Sequence, residues 1–165
     1  MAEATKSIPP VWALIISAVV FALDRFSKHL VETTMTFWDT KHVIPHFFDI
    51  VRSQNPGIAF GLFSQSDSRF RTAILIGFSI LALVVLAVLL TRIRRWDRPT
   101  GIGVALIFGG ALGNVYDRFH SGVVTDFLDF YVGTYHWYTF NIADTAICTG
   151  AGLLILSMMR NPRAA

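Results

Sequence analysis

The sequence predicts an all-α polytopic membrane protein, with four transmembrane helices and a small β-rich outer subdomain between helices 1 and 2. Three observations carry this expectation. Hydrophobic residues make up 53% of the 165 and charged residues only 15%, with a mean hydropathy of +0.53, outside the usual range of a soluble domain. Apolar runs recur along the chain, and Thr72–Thr91 contains no charge over twenty residues, which at about 1.5 Å per residue matches the roughly 30 Å of a hydrocarbon core. The arginines stand beside these runs, so the net charge of +3 and the pI near 9.4 describe membrane topology and not a nucleic-acid-binding face. The single cysteine, Cys148, allows no intramolecular disulfide and no metal site built on paired cysteines. Residues 1–165 read as one domain.

The first element is expected from Val11 to about His29, after a short tail with Lys6 and the Pro9-Pro10 pair. A signal-peptide core is the alternative. Against it, no small-x-small cleavage site follows, Asp24 and Arg25 come at once, and three more apolar segments lie downstream. Asp24 and Lys28 are spaced i, i+4 and share a helix face, as a surface ion pair or a functional one. Residues 30–71 are mixed. Within them VIPHFFDIVRSQNPGIAFGLF, from Val43 to Phe63, joins β-branched and aromatic residues to turn formers at Asn55-Pro56-Gly57, the pattern of a small sheet or hairpin. Its aromatics Phe47, Phe48, Phe60 and Phe63 either rest at the lipid headgroup level or grip an acyl chain, or simply pack the subdomain.

The second span, Thr72–Thr91, ends in Arg92, Arg94, Arg95 and Arg98 around Trp96. The third follows from Thr100 to about Tyr116, and the fourth runs from about Asn141 to Met159 before Arg160 and Arg163. Lysines and arginines tie at seven on each side, but those of one side crowd into short segments at helix ends, where the positive-inside rule counts most. Both termini are therefore expected inside, with residues 25–71 and 117–140 outside.

That topology brings Asp126, in the second outer loop, to the same leaflet as Asp144, about one turn inside the fourth helix. Ionisable groups at membrane depth are costly and are therefore suspects for function. Asn141 and Asp144 are spaced i, i+3, and Gly110, Asn114 and Arg118 are spaced i, i+4 in one stripe. Glycines 109, 110 and 113 permit close helix contact, the reading preferred for Gly109 and Gly113. Two carboxylates converging on one water supply an acid and a base together, because like charges at close range hold one proton between them. Asp144 as a structural partner of Arg118 or Lys28 is the competing reading. Asp117 and Asp129 are expected to be solvated or ion-paired. His120 and His136 with Asp126 or Asp129 show no zinc-ligand spacing, and no G-x-S-x-G elbow is present. No metal or other cofactor is expected.

At these residues the chain resembles the bacterial lipoprotein signal peptidases, the signal peptidase II family. The motifs are D-R-F-S-K at Asp24–Lys28, N-P-G-I-A-F at Asn55–Phe60, G-G-A-L-G-N-V-Y-D-R at Gly109–Arg118, V-V-T-D-F at Val123–Phe127 and F-N-I-A-D at Phe140–Asp144. The resemblance implies an aspartic endopeptidase of the cytoplasmic (inner) membrane, working as a monomer. It would remove the signal peptide from prolipoproteins, cutting before a cysteine that carries diacylglycerol. Asp126 and Asp144 would be the catalytic pair. Asp24, Lys28, Asn55, Gly57, Gly110, Asn114, Arg118, Val124, Phe140, Asn141 and Ala143 would bind substrate or support the pair. Thr125 stands where the family often has an aliphatic residue. A small proton or cation transporter is the rival reading, although the acids gather toward one side and no inverted repeat is visible.

Overall fold

The computed structural model describes residues 7–57, 68–91 and 97–160. Lys6, Ile58 to Phe60, Phe63, the loop residues Arg92, Arg94, Arg95 and Trp96, and Arg163 lie outside the described residues. The elements are α1 (Pro10–Thr34), β1 (Thr40–Ile44), β2 (Phe48–Asn55), α2 (Ser68–Thr91), α3 (Arg98–Ser121), β3 (Val124–Val132), β4 (Tyr135–His136) and α4 (Ile142–Arg160). All four helices contain a stretch long and apolar enough to cross a membrane.

Proline in its first turn starts α1, since the missing N–H is one of the unpaired donors there. Its buried residues Ala13, Ser17, Val20, Asp24, Lys28 and Val31 recur every three or four positions and form one face. That face meets α3, which also contacts α2 and α4 and so stands at the centre of the bundle. Asp97 caps α3 by accepting from Thr100 N–H, and Gly122 ends it in the left-handed region at φ 77°.

Small residues along α3 set how near its neighbours come. A methyl group on Gly109 would lie 2.6 Å from the Ser17 carbonyl oxygen, and one on Gly110 would lie 2.5 Å from that of Ala143. One on Gly113 would run into the Asp24 carboxylate. The Ser17 hydroxyl joins α1 to α3 by donating to the Ala105 carbonyl at 2.8 Å. By contrast, α2 leaves much of its apolar surface exposed, as a lipid-facing helix does.

The small β-rich subdomain is one antiparallel sheet in the order β1-β2-β3-β4. The sequence places it between helices 1 and 2, yet β3 and β4 come from the segment after α3. Asp126 therefore sits on a strand and not in a loop. Strand β3 pairs with β2 on one side and, on the other, donates from its Phe127 and Leu128 N–H groups to the Phe140 carbonyl at 3.0 and 2.8 Å. The sheet is seated on the C-terminal end of α1 through Val31, Met35 and Phe127, joined by Ile50, Leu128 and Ile142. Phe47 and Phe48 both contact Phe130, edge-on at 5.4 Å and stacked at 4.5 Å. For Phe48 this is ordinary packing, whereas Phe47 stays largely exposed.

Candidate active site

The site forms where the α4 N-terminus meets β3 and the middle of α3. Asn141 caps α4: its Oδ1 accepts from Asp144 N–H at 2.9 Å, and Asp144 Oδ2 accepts from Asn141 N–H at 3.3 Å. This reciprocal capping box explains the three-residue spacing of the two side chains. With its oxygen used by the cap, Asn141 turns its amide nitrogen toward β3 and donates to Asp126 Oδ1 at 2.7 Å. Weaker contacts of 3.3 Å run from the same nitrogen to the Thr125 carbonyl and to Asn114 Oδ1.

Asn114 completes the link by donating from Nδ2 to Asp144 Oδ1 at 2.8 Å. Asp126 and Asp144, eighteen positions apart in the chain, thus belong to one hydrogen-bonded unit with Asn141 and Asn114 between them. Asp126 is buried, while Asp144 is partly accessible. Burial pushes the Asp126 carboxyl up to about 6, the Asp144 charge adds to the rise, and hydrogen bonds from Asn55 and Asn141 with the Lys28 charge oppose it.

Behind Asn114 lies a buried ionic cluster. Lys28 has no exposed surface, and its Nζ lies 2.8 Å from Asp24, 2.7 Å from Asp117 and 3.0 Å from Asn114 Oδ1. Asp117 also pairs with Arg25, whose guanidinium covers the Tyr116 ring at 4.6 Å. The Asp24–Lys28 pair is therefore not a surface feature. Two carboxylates and two cations balance at zero net charge, the condition under which burial of ions is tolerable. Asp24 reaches further, accepting the Ala143 N–H at 2.9 Å.

Spacing on α1 and α3 revealed the shared faces but not their burial. Arg25 was missed as a member of the cluster because its partner is 92 positions away. Asp117 is ion-paired, and Asp129 pairs with His136 Nδ1 at 2.8 Å. Asp144 forms no salt bridge with Arg118 or Lys28 among the described residues, its partners being the two asparagines.

The remaining expected residues surround this unit. Asn55, at the end of β2, lies near enough to Asp126 to oppose the rise of its pKa and accepts from Gly57 N–H at 2.8 Å, with Gly57 at φ 80°. Val124 pairs with Asn55 across the ladder and is buried. Gly110 and Ala143 form the close α3–α4 contact, and Phe140 anchors the edge of β3 while its ring stacks near Phe130. Arg118 Nη1 donates to the Asn114 carbonyl at 3.3 Å, and its buried Nε has no hydrogen-bond partner among the described residues. Nor is there, among those residues, a group of three or more His, Cys, Asp or Glu side chains arranged to hold a metal ion.

Comparison with known proteins matches residues 16–160 to the signal peptidase (SPase) II family. A lipoprotein signal peptidase of Solibacter usitatus is 51% identical over 150 residues, covering 91% of this chain and 92% of the relative. One of Maridesulfovibrio salexigens is 40% identical over 147 residues, covering 89% and 94%. Two solved bacterial membrane enzymes, both studied by the in meso method, superpose with TM-scores of 0.83. They are 28% and 29% identical, with 98% and 96% of this chain and 95% and 99% of theirs covered.

Proposed function

The chain belongs to the signal peptidase II family, and from that premise we propose that it is an intramembrane aspartic endopeptidase in which Asp126 and Asp144 cleave prolipoproteins before a diacylglyceryl-modified cysteine. The observation that carries the proposal is the pair of asparagines that holds both carboxylates in one unit, with the raised pKa of Asp126. Family membership also displaces the transporter reading.

The reacting form carries one proton on the pair, assigned to Asp126 as the carboxyl whose pKa is raised by burial. Asp144 takes a proton from a water molecule as the water oxygen bonds to the scissile carbonyl carbon. Asp126 gives its proton to the departing amine as the C–N bond breaks, and the proton gained by Asp144 restores the shared state. Donors aimed at developing negative charge supply much of the rate in such reactions. Arg118, whose Nε has no partner among the described residues, is suited to this, while Asn55, Gly57, Val124 and Phe140 would line the approach to Asp126. Gly110 and Ala143 keep α3 and α4 close, and Asp24 with Lys28 braces Asn114.

Lipid chains and the signal helix hold such a substrate in the membrane, so the scissile bond lies at the interface. Exposed aromatics beside the sheet support seating at the outer headgroup level: Trp38 is 94%, Tyr138 83% and Trp137 59% exposed. On this reading the enzyme lies in the inner membrane with both termini cytoplasmic and acts as a monomer without a cofactor, and the short arginine-rich segments at the helix ends support that orientation. Incubation of purified protein in detergent with a diacylglyceryl prolipoprotein and its unlipidated form, with products identified by mass, tests this. Cleavage of the lipidated form alone, immediately before the cysteine, is expected. Equal cleavage of both forms, or a cut elsewhere, would refute the specificity assigned.

A further inference from the structure

We propose that Glu32 and Thr125 form a positioning pair for the reaction: the hydrogen bond between them fixes the point on β3 from which Asp126 reaches Asn141, by geometry and not by charge. The inference rests on the reading of Asp126 and Asp144 as the catalytic pair.

Thr125 is buried and is held from two directions. Its hydroxyl donates to Glu32 Oε1 at 2.6 Å, across 93 positions of sequence. Its carbonyl accepts from Asn141 Nδ2 at 3.3 Å, and that same nitrogen donates to Asp126 Oδ1 at 2.7 Å. Successive side chains on a strand point to opposite faces. Glu32 therefore grips β3 from the side away from the Asp126 carboxylate and does not touch the reacting groups.

The β2–β3 register shifts between Ile50 and Ser53, so Val124, Thr125 and Asp126, paired with Asn55, Gln54 and Ser53, form a short ladder offset from the Leu128–Phe130 part of the strand. An irregularity of that kind bends the strand locally. The side-chain bond from Thr125 adds a second hold on this three-residue segment. Its other end is itself secured: Arg52 Nη1 donates to the Glu32 and Met35 carbonyls at 3.0 and 2.8 Å, and its guanidinium lies 4.5 Å over the Phe37 ring. The last turn of α1, which neither spans the bundle core nor enters the dyad, thus acts as a fixed post for β3.

Removal of the acceptor leaves a buried hydroxyl without its partner, and a small displacement of a catalytic group is costly to the rate. The test compares wild type, Thr125→Val, Glu32→Ala, their double variant, Thr125→Ser, Glu32→Gln and Asp126→Asn. Cleavage of lipidated prolipoprotein is measured per molecule of monodisperse protein in detergent. Where the family has an aliphatic residue at position 125 this bond does not exist, so the role belongs to a chain that pairs Thr125 with Glu32; in this chain Thr125→Val and Glu32→Ala are each expected to lower kcat about tenfold with KM unchanged. The double variant should be no worse than the poorer single one, because one bond is lost in all three.

Thr125→Ser and Glu32→Gln keep a donor and an acceptor and are expected to recover kcat to within about threefold of wild type, which distinguishes a geometric bond from a charge effect. Unchanged kcat in Thr125→Val and Glu32→Ala, a rise in KM alone, additive losses, or no recovery in Glu32→Gln would each overturn the inference. Asp126→Asn separates this from the underlying reading. Its inactivity alongside fully active Thr125→Val sinks only the positioning role, whereas cleavage persisting in Asp126→Asn sinks the catalytic pair itself.

Discussion

Replacement of Lys28 by methionine tests the buried cluster behind the site. The methionine fills similar space but removes the charge that stands 2.8 Å from Asp24 and 2.7 Å from Asp117 and the donor 3.0 Å from Asn114 Oδ1. Arg25 still neutralises one carboxylate through Asp117, so one uncompensated negative charge remains in a place with no exposed surface. Breaking a buried ion pair from one side costs about 3–5 kcal/mol. For a chain of this size that corresponds to a fall in Tm of roughly 6–20 °C.

The double variant Lys28→Met/Asp24→Asn keeps an oxygen for the Ala143 N–H, bonded at 2.9 Å in the native protein, and removes the orphaned charge. It is expected to recover at least about 1 kcal/mol of the loss. Thermal unfolding of both variants in one detergent, scanned at one rate, gives the comparison. A Tm for Lys28→Met within about 2 °C of wild type, or a double variant less stable than the single one, would refute the account of the cluster as a charge-balanced unit.

Other outcomes follow from the same geometry. With the Asp126 carboxyl raised to about 6 from an ordinary 3.8, the folded protein binds more protons than the unfolded chain between those values. Stability contributed by the protonated group is therefore fully present below about pH 4 and lost as pH rises through 6, by up to about 3 kcal/mol. Asp126→Asn should remove that loss, so denaturant titrations at pH 5 and pH 7.5 should show a smaller drop in the variant than in wild type. An identical drop would contradict the assigned environment. Gly110→Val would press a side chain against the Ala143 carbonyl, 2.5 Å from the position of the first added carbon. Forcing α3 from α4 should lower kcat by about tenfold or more while the protein still inserts and folds, and normal kcat would show that the helix spacing does not set the dyad.

Much of the fold was legible because hydropathy is a local property that adds up along a segment. The four apolar runs, the Asp24–Lys28 face and the Asn141–Asp144 spacing each needed only a few neighbouring residues to be read. The sheet was harder. V-T-D-F-L-D-F-Y-V at Val124–Val132 mixes apolar, acidic and aromatic side chains because both of its faces are partly covered, and its pairing partners on β2 lie about seventy to eighty positions earlier. Simple alternation is absent from such a strand. Two of the contacts that join α1 to the rest, Arg25 with Asp117 and Glu32 with Thr125, span more than ninety positions. Spacing identifies which residues share a face, but only the packing of α1 on α3 decides that Lys28 is buried. Asp117 and Arg118 show the same limit: adjacent in sequence and about 100° apart around α3, they serve different networks.

The catalytic assignment is tested most directly by the rate of lipidated prolipoprotein cleavage in wild type, Asp126→Asn and Asp144→Asn, measured in the same detergent at the pH of maximal activity. Both variants keep the size of the side chain and one acceptor oxygen, so the asparagine links to Asn141 and Asn114 have a partner left to hold. A loss of about a thousandfold or more in kcat in each variant, with folding intact, is expected when acid and base are both needed. Cleavage at a wild-type rate in either one would contradict the dyad.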